Sequence, residues 1–152
     1  MGNKTYKDYF FTEEAYIKDK IKIDKKINEY ENKFMSNAKW EKLFLTIFLN
    51  NDIIKNCEII DFFSFTYRYI KNNVEDYKKY IHRDCIDNIL ITGEHSISYR
   101  EIEYIEFKKK WHEEKIGTME QDTNKIKEII SKTGKYEWEE TENHIRIYGY
   151  KK

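Results

Sequence analysis

The chain contains no proline, and its 5 glycines, at positions 2, 93, 117, 134 and 149, are too few and too scattered to make a flexible linker. They also exclude a phosphate-cradling loop, since neither Gly-x-Gly nor G-x-x-x-x-G-K-[ST] can be written with them. The G-x-S-x-G elbow of serine hydrolases is missing for the same reason. The 2 cysteines, Cys57 and Cys85, lie far apart in sequence. That leaves no disulfide framework and points to a reducing, cytoplasmic compartment. An excess of one charge is missing as well: Lys+Arg 28 against Asp+Glu 28 gives a formal net charge of +0. A general nucleic-acid binder normally carries a basic excess, so that class is disfavoured. No run approaches the roughly 18–20 apolar residues of a membrane span. The N-terminal MGNKTYKDYFFTEE meets acids before any apolar segment of a signal peptide begins.

What is present is charge and aromatic surface. Of 152 residues, 37% are charged and 16% aromatic, with 13 Tyr, 9 Phe and 3 Trp. That many rings bury a real core, so the charge content reads as the surface of a folded chain and not as disorder. Without linker or repeat, residues 1–152 read as one domain, with a helix over about 12–35 as a possible appended element.

Thr12 followed by Glu13 and Glu14 is a helix start, and Tyr16, Ile23, Ile27, Tyr30 and Phe34 recur at helical spacing to about Met35. Ser36 or Asn37 caps a second helix, in which Trp40, Leu43, Phe44, Ile47 and Phe48 fill one face at i, i+3, i+4, i+7 and i+8. From Phe63 to Tyr69 aromatic and polar residues alternate, the pattern of a half-buried strand. Asn73 caps a short helix with Val74, Tyr77 and Ile81 that runs on towards Leu90, and Gly93 closes the region. A turn then leads into a strand at about Ile102–Phe107. Thr118 to Gln121 reads as a capping box ahead of Met119, Ile126, Ile129 and Ile130, with Gly134 as the stop. A β-hairpin follows, Tyr136 and Trp138 on one strand and Ile145 and Ile147 on the other, across a Thr-Glu-Asn turn. The expected fold class is therefore α+β: N-terminal amphipathic helices on a small, mainly antiparallel sheet that ends in helix and hairpin.

Reactive chemistry is sparse. His82, His95, His112 and His144 follow no zinc-motif spacing, and Trp111-His112-Glu113-Glu114 lacks the second histidine of a zincin. His82 and Cys85 form an H-x-x-C pair that supplies at most two ligands from one helical face, and Cys85 is the better of two poor candidates for a nucleophile. No catalytic residue, metal or cofactor is expected. The acids, by contrast, are uneven. Glu94, Glu101, Glu103 and Glu106 stand near Arg100 alone, and Glu137, Glu139, Glu140 and Glu142 near Lys135 and Arg146. Tyr99, Tyr104, Tyr136 and Trp138 punctuate these stretches. Aromatic anchors beside steering charges suit a protein–protein interface, with a basic protein as the partner.

Three pieces, NAKWEKLF (Asn37–Phe44), SYREIEYIEF (Ser98–Phe107) and EETENHIRIYGY (Glu139–Tyr150), resemble segments of small bacterial immunity proteins of polymorphic-toxin and contact-dependent growth-inhibition systems. The resemblance implies a cytoplasmic inhibitor that binds and neutralises one cognate toxin without saying which; a nuclease is the basic partner that the acidic, aromatic surface suggests. It carries no functional residue over by motif, and the helix before Ser36 lies outside it. The contact candidates read from the acids and rings are Glu101, Glu103, Glu106, Tyr136, Glu137 and Glu139. The alternative is a small enzyme or toxin with a dispersed His/acid site.

Overall fold

The structure, a computed structural model, describes residues 2–69 and 76–152. Helix α1, Glu13–Ile27, begins where the cap predicts, with Thr12 Oγ1 accepting the Ala15 N–H at 3.1 Å. It stops well short of residue 35. The helical spacing continues through Tyr30 and Phe34, but strand pairing takes the chain over. Strand β1, Asn32–Lys33, pairs antiparallel with the C-terminal Tyr150–Lys151, and Tyr30 packs with Ile23, Phe62 and Tyr150. This small cluster ties the N-terminal helix to the body of the protein. Helix α2, Asn37–Leu49, follows the sequence reading throughout: Ser36 Oγ caps Lys39 N–H at 3.2 Å, and all five predicted face residues are buried.

The stretch after Cys57 is two strands and a turn, and the alternating run from Phe63 to Tyr69 supplies the turn and the second strand. Strands β2, Glu58–Asp61, and β3, Thr66–Arg68, form a hairpin. The Asp61 carboxylate decides it, with Oδ1 accepting the N–H groups of Phe63 (2.8 Å) and Phe65 (3.0 Å). Ser64 takes the left-handed φ of 67° inside that turn. Asn73 and Val74 lie outside the described residues. Tyr77–Tyr80 is a short 3₁₀ turn, and no helix runs on towards Leu90: strands β4, Cys85–Ile86, and β5, Ile97–Ser98, pair there instead. Gly93 takes a φ of 112° in the loop between them.

Strand β6, Ile102–Lys108, matches its prediction and is entered from a 3₁₀ turn, Tyr99–Glu101. The capping box at Thr118 does not form. Lys110–Glu113 (β7) and Gly117–Glu120 (β8) make a hairpin whose turn uses positive φ at Lys115 and Gly117. Met119 is thus a strand residue, and helix α3, Thr123–Ser131, is capped by Asp122. Gln121 is spent elsewhere, its amide donating to the Asn56 and Lys108 carbonyls. The C-terminal hairpin is present as predicted, β9, Trp138–Glu140, with β10, His144–Tyr148; β11, Tyr150–Lys151, follows.

The architecture is α+β. One antiparallel sheet runs in the order β3-β2-β6-β10-β9. Register places Ile59, Ile105, Phe107, Ile145 and Ile147 on one face, where they share a core with Trp40, Phe44 and Ile47 of α2 and Ile126 and Ile130 of α3. The opposite face carries Tyr104, Glu106, Lys108, Arg146 and Tyr148.

Candidate functional site

The six contact candidates do not form one acidic face. Glu106 is buried on the outer sheet face, with Arg146 Nε at 2.7 Å and His144 Nε2 at 3.4 Å from its Oε1. Glu139 sits across the same arginine at 3.8 Å and accepts from the Tyr148 hydroxyl, and Glu137 pairs with Lys151 at 3.5 Å. Glu58, opposite Glu106, is held by Lys108 at 2.8 Å. The acids of this face are thus engaged by cations of their own chain. Glu103 accepts the Tyr30 hydroxyl at 2.9 Å, and Tyr136 is half-buried against Thr133 and Lys39. Glu101 is buried altogether and belongs to another region.

That region is a cleft of about 600 Å³ to which five separated segments contribute. The N-terminal segment brings Tyr6, Tyr9, Phe10 and Phe11. Helix α1 brings Ala15, Asp19 and Lys22, which at i, i+4 and i+7 share one face. The β2–β3 hairpin adds Asp61, Phe63, Phe65 and Tyr67, the 88–96 loop adds Glu94, His95 and Ser96, and the turn before β6 adds Glu101. The Asp61 turn described above directs Phe65 outwards, leaving it 64% exposed, and Phe11 is fully exposed. Four carboxylates line the cleft against one lysine. Lys22 itself lies over the Phe63 ring, 4.4 Å from its centroid, and among the described residues it makes no ion pair.

Glu101 is the unusual group. Its Oε1 accepts the Ser98 N–H at 3.0 Å, closing a reciprocal cap with Ser98, and among the described residues no cation pairs with it. Burial, opposed by the Ser98 N–H and Lys22 and reinforced by the nearby Asp61 and Asp19, pushes its carboxyl up to about 8. Burial raises Asp61 too, against the N–H bonds from Phe65 and Phe63. Because folded Glu101 keeps a proton that the unfolded chain loses near its ordinary 4.5, stability falls as pH rises from about 4.5 to about 8. Glu101→Gln keeps an acceptor for Ser98 and removes the titration. Its stability curve, from urea midpoints between pH 5 and 8, is expected to fall less steeply than the wild type's. Parallel curves would mean that the carboxyl is not held protonated.

The N-terminal wall of the cleft is tethered from below. Tyr6 N–H bonds Asp84 Oδ1 at 2.9 Å, and its hydroxyl bonds Asp19 at 2.8 Å. The Tyr9 hydroxyl donates to Asp87 Oδ2 at 2.7 Å, so its 2.8 Å contact with His82 is one in which Nε2–H donates. His82 is buried, which lowers its pKa and favours the neutral ring despite Asp87. His82 and Cys85 share no helical face, being joined through His82 N–H to the Cys85 carbonyl at 2.9 Å. The Cys85 thiol is buried and its pKa is pushed well up by burial and then by Asp84, the reverse of what a nucleophile needs. Among the described residues no three His, Cys, Asp or Glu side chains group to hold a metal ion.

Sequence reasoning missed the cleft except for Glu101. The one local signal was S-x-x-E at Ser98–Glu101, a capping box that turns the glutamate back onto its own backbone. No protein-family model matches the chain, and no curated protein or solved structure matches it either.

Proposed function

We propose that this protein is a binding module of the immunity type, which neutralises a basic bacterial toxin, a nuclease in the leading case, by covering it one to one in the cytoplasm without catalysis. The supporting observation is the cleft: two exposed phenylalanines at an opening that holds four carboxylates and one lysine. Exposed rings supply anchoring area, and with Glu101 protonated the remaining acids, Asp19, Asp61 and Glu94 against Lys22, supply steering towards a basic surface. The resemblance of the Asn37–Phe44, Ser98–Phe107 and Glu139–Tyr150 segments to immunity proteins supports the same reading. Among the described residues no helix is long and apolar enough to cross a membrane.

The test is capture of the tagged protein from its host, identification of any stoichiometric partner, and co-expression of the two. Growth rescue at one inhibitor per toxin is the expected outcome. Failure of any captured toxin-like protein to be neutralised overturns the reading. A second reading, a small enzyme with a dispersed acid site, is favoured by one feature: Glu101 holds its proton to about pH 8 in an open cleft, as a general acid does. Protection that persists far below one inhibitor per toxin would establish turnover in place of stoichiometric binding.

A further inference from the structure

We infer that the cleft is a binding site for a guanidinium group, an arginine side chain that enters past Phe11 and Phe65 towards the Glu101 carboxylate. That the arginine comes from a protein partner rests on the proposed function; the chemistry of the cleft does not.

Three observations select the ligand. The first is the buried, unpaired acid. Glu101 is 7% exposed, one oxygen takes the Ser98 N–H, and among the described residues nothing is bonded to the other. A carboxyl in that setting carries a desolvation cost that a cation placed against it would offset. The second is Ser96, also 7% exposed, whose buried hydroxyl is left without a well-formed hydrogen bond: it lies near the Tyr9 hydroxyl, which Asp87 and His82 already engage. A buried hydroxyl and an unpaired acid lining one cleft suit a ligand rich in N–H groups. The third is the aromatic lining, where Lys22 already shows the contact between a cation and a ring.

An anion is excluded by the carboxylates, and an apolar ligand would leave Glu101 and Ser96 unpaired. Arginine suits the cleft better than lysine on physical grounds. Its planar fork presents five donors, stacks on aromatic faces, and is more weakly hydrated than an ammonium. Asp61 already accepts from Phe63, Phe65 and Tyr67, and Asp19 from Tyr6, so the acceptors left open in the cleft are Glu94, the second oxygen of Glu101 and the Ser96 hydroxyl.

Binding carries a proton with it. Arginine stays charged throughout the working range, so the bound state favours ionised Glu101 and releases its proton. The groups facing Glu101 are Asp61 from β2, Tyr67 from β3, Asp19 and Lys22 from α1, and Tyr6 from the N-terminal turn. Affinity should therefore rise with pH and level off above about 8.

The experiment is a titration of the whole protein, followed by amide NMR shifts, with Nα-acetyl-arginine amide and with its uncharged isostere, the citrulline derivative. A single residue of this size should bind with Kd ~1 mM. Expected are saturable shifts confined to the cleft, at least ~10-fold weaker binding of the citrulline form, and binding that weakens from pH 8 to pH 6. Glu101→Gln should weaken binding ~10-fold and abolish the pH dependence. Phe65→Ala, at an exposed ring whose loss leaves the core intact, should weaken it as well. Equal binding of citrulline, or no saturable shift, overturns the site; equal binding of the lysine derivative overturns the choice of guanidinium. If the arginine derivative binds and no partner is captured, the cleft assignment stands and the partner reading falls. If a partner binds Glu101→Gln and Phe65→Ala as tightly as wild type, the partner reading stands and the cleft is not where it docks.

Discussion

Trp40→Ala is expected to cost about 3–5 kcal/mol, enough to leave a domain of ordinary stability largely unfolded at 37 °C. The indole is 2% exposed and stacks on Phe44 with ring centroids 5.8 Å apart, and Phe44 in turn stacks on Tyr99 at 5.7 Å. Its far edge closes against Gly149, where an added Cβ would stand 3.0 Å from Trp40 Cζ2 and 2.5 Å from the Ile102 carbonyl. With a helix on one side and strand backbone on the other, the surroundings have little freedom to collapse into the vacated space. Urea unfolding followed by far-UV circular dichroism reads the loss directly. A cost below about 1 kcal/mol would mean that α2 is not seated on the sheet as described.

Arg146→Leu is expected to cost about 3–5 kcal/mol for a different reason: it strands a buried charge. Glu106 is the middle of a cross-strand row, Arg68, Glu58, Glu106, Arg146 and Glu139, in which Arg146 is the cation between Glu106 and Glu139. Its guanidinium also lies 4.3 Å from the Tyr104 ring centroid, so a shorter apolar chain loses packing as well as pairing. The double variant Arg146→Leu with Glu106→Gln should recover a large part of the loss, because it removes the uncompensated carboxylate. Additive losses in that cycle would show that the pair is no more than a solvated surface contact. The same row explains why reversing acids on this face tests stability before it tests partner binding.

The parts legible in sequence were those whose signal is local. The face of α2 could be read because five large residues at helical spacing leave few alternatives, and the caps at Thr12 and Ser36 and the terminal hairpin because cap and turn chemistry act over a few residues. The losses came where two local signals competed. Tyr30 and Phe34 keep helical spacing, yet the chain after Ile27 pairs with Tyr150–Lys151, about 120 residues away. T-M-E-Q at Thr118 has the form of a capping box, but pairing with Lys110–Glu113 claims those residues, and Asp122 caps the helix that follows.

The sequence by itself determined the class, an α+β protein with a Trp-centred helix face and a closing hairpin, because burial patterns and caps are properties of neighbouring residues. It also determined that the chain is rich in charge and in aromatic rings. Only the tertiary structure decided which acids are available. Composition treats Glu101, Glu103 and Glu106 as alike, although alternation along β6 separates Glu103 from Glu106 and Glu101 precedes the strand. Folding pairs Glu106 with Arg146, engages Glu103 with Tyr30, and buries Glu101 in a cleft assembled from residues 6–11, 15–22, 61–67, 88–96 and 101. No spacing encodes that meeting, because it depends on how helix, hairpin and loop pack on one another, and desolvation arises only once they have done so.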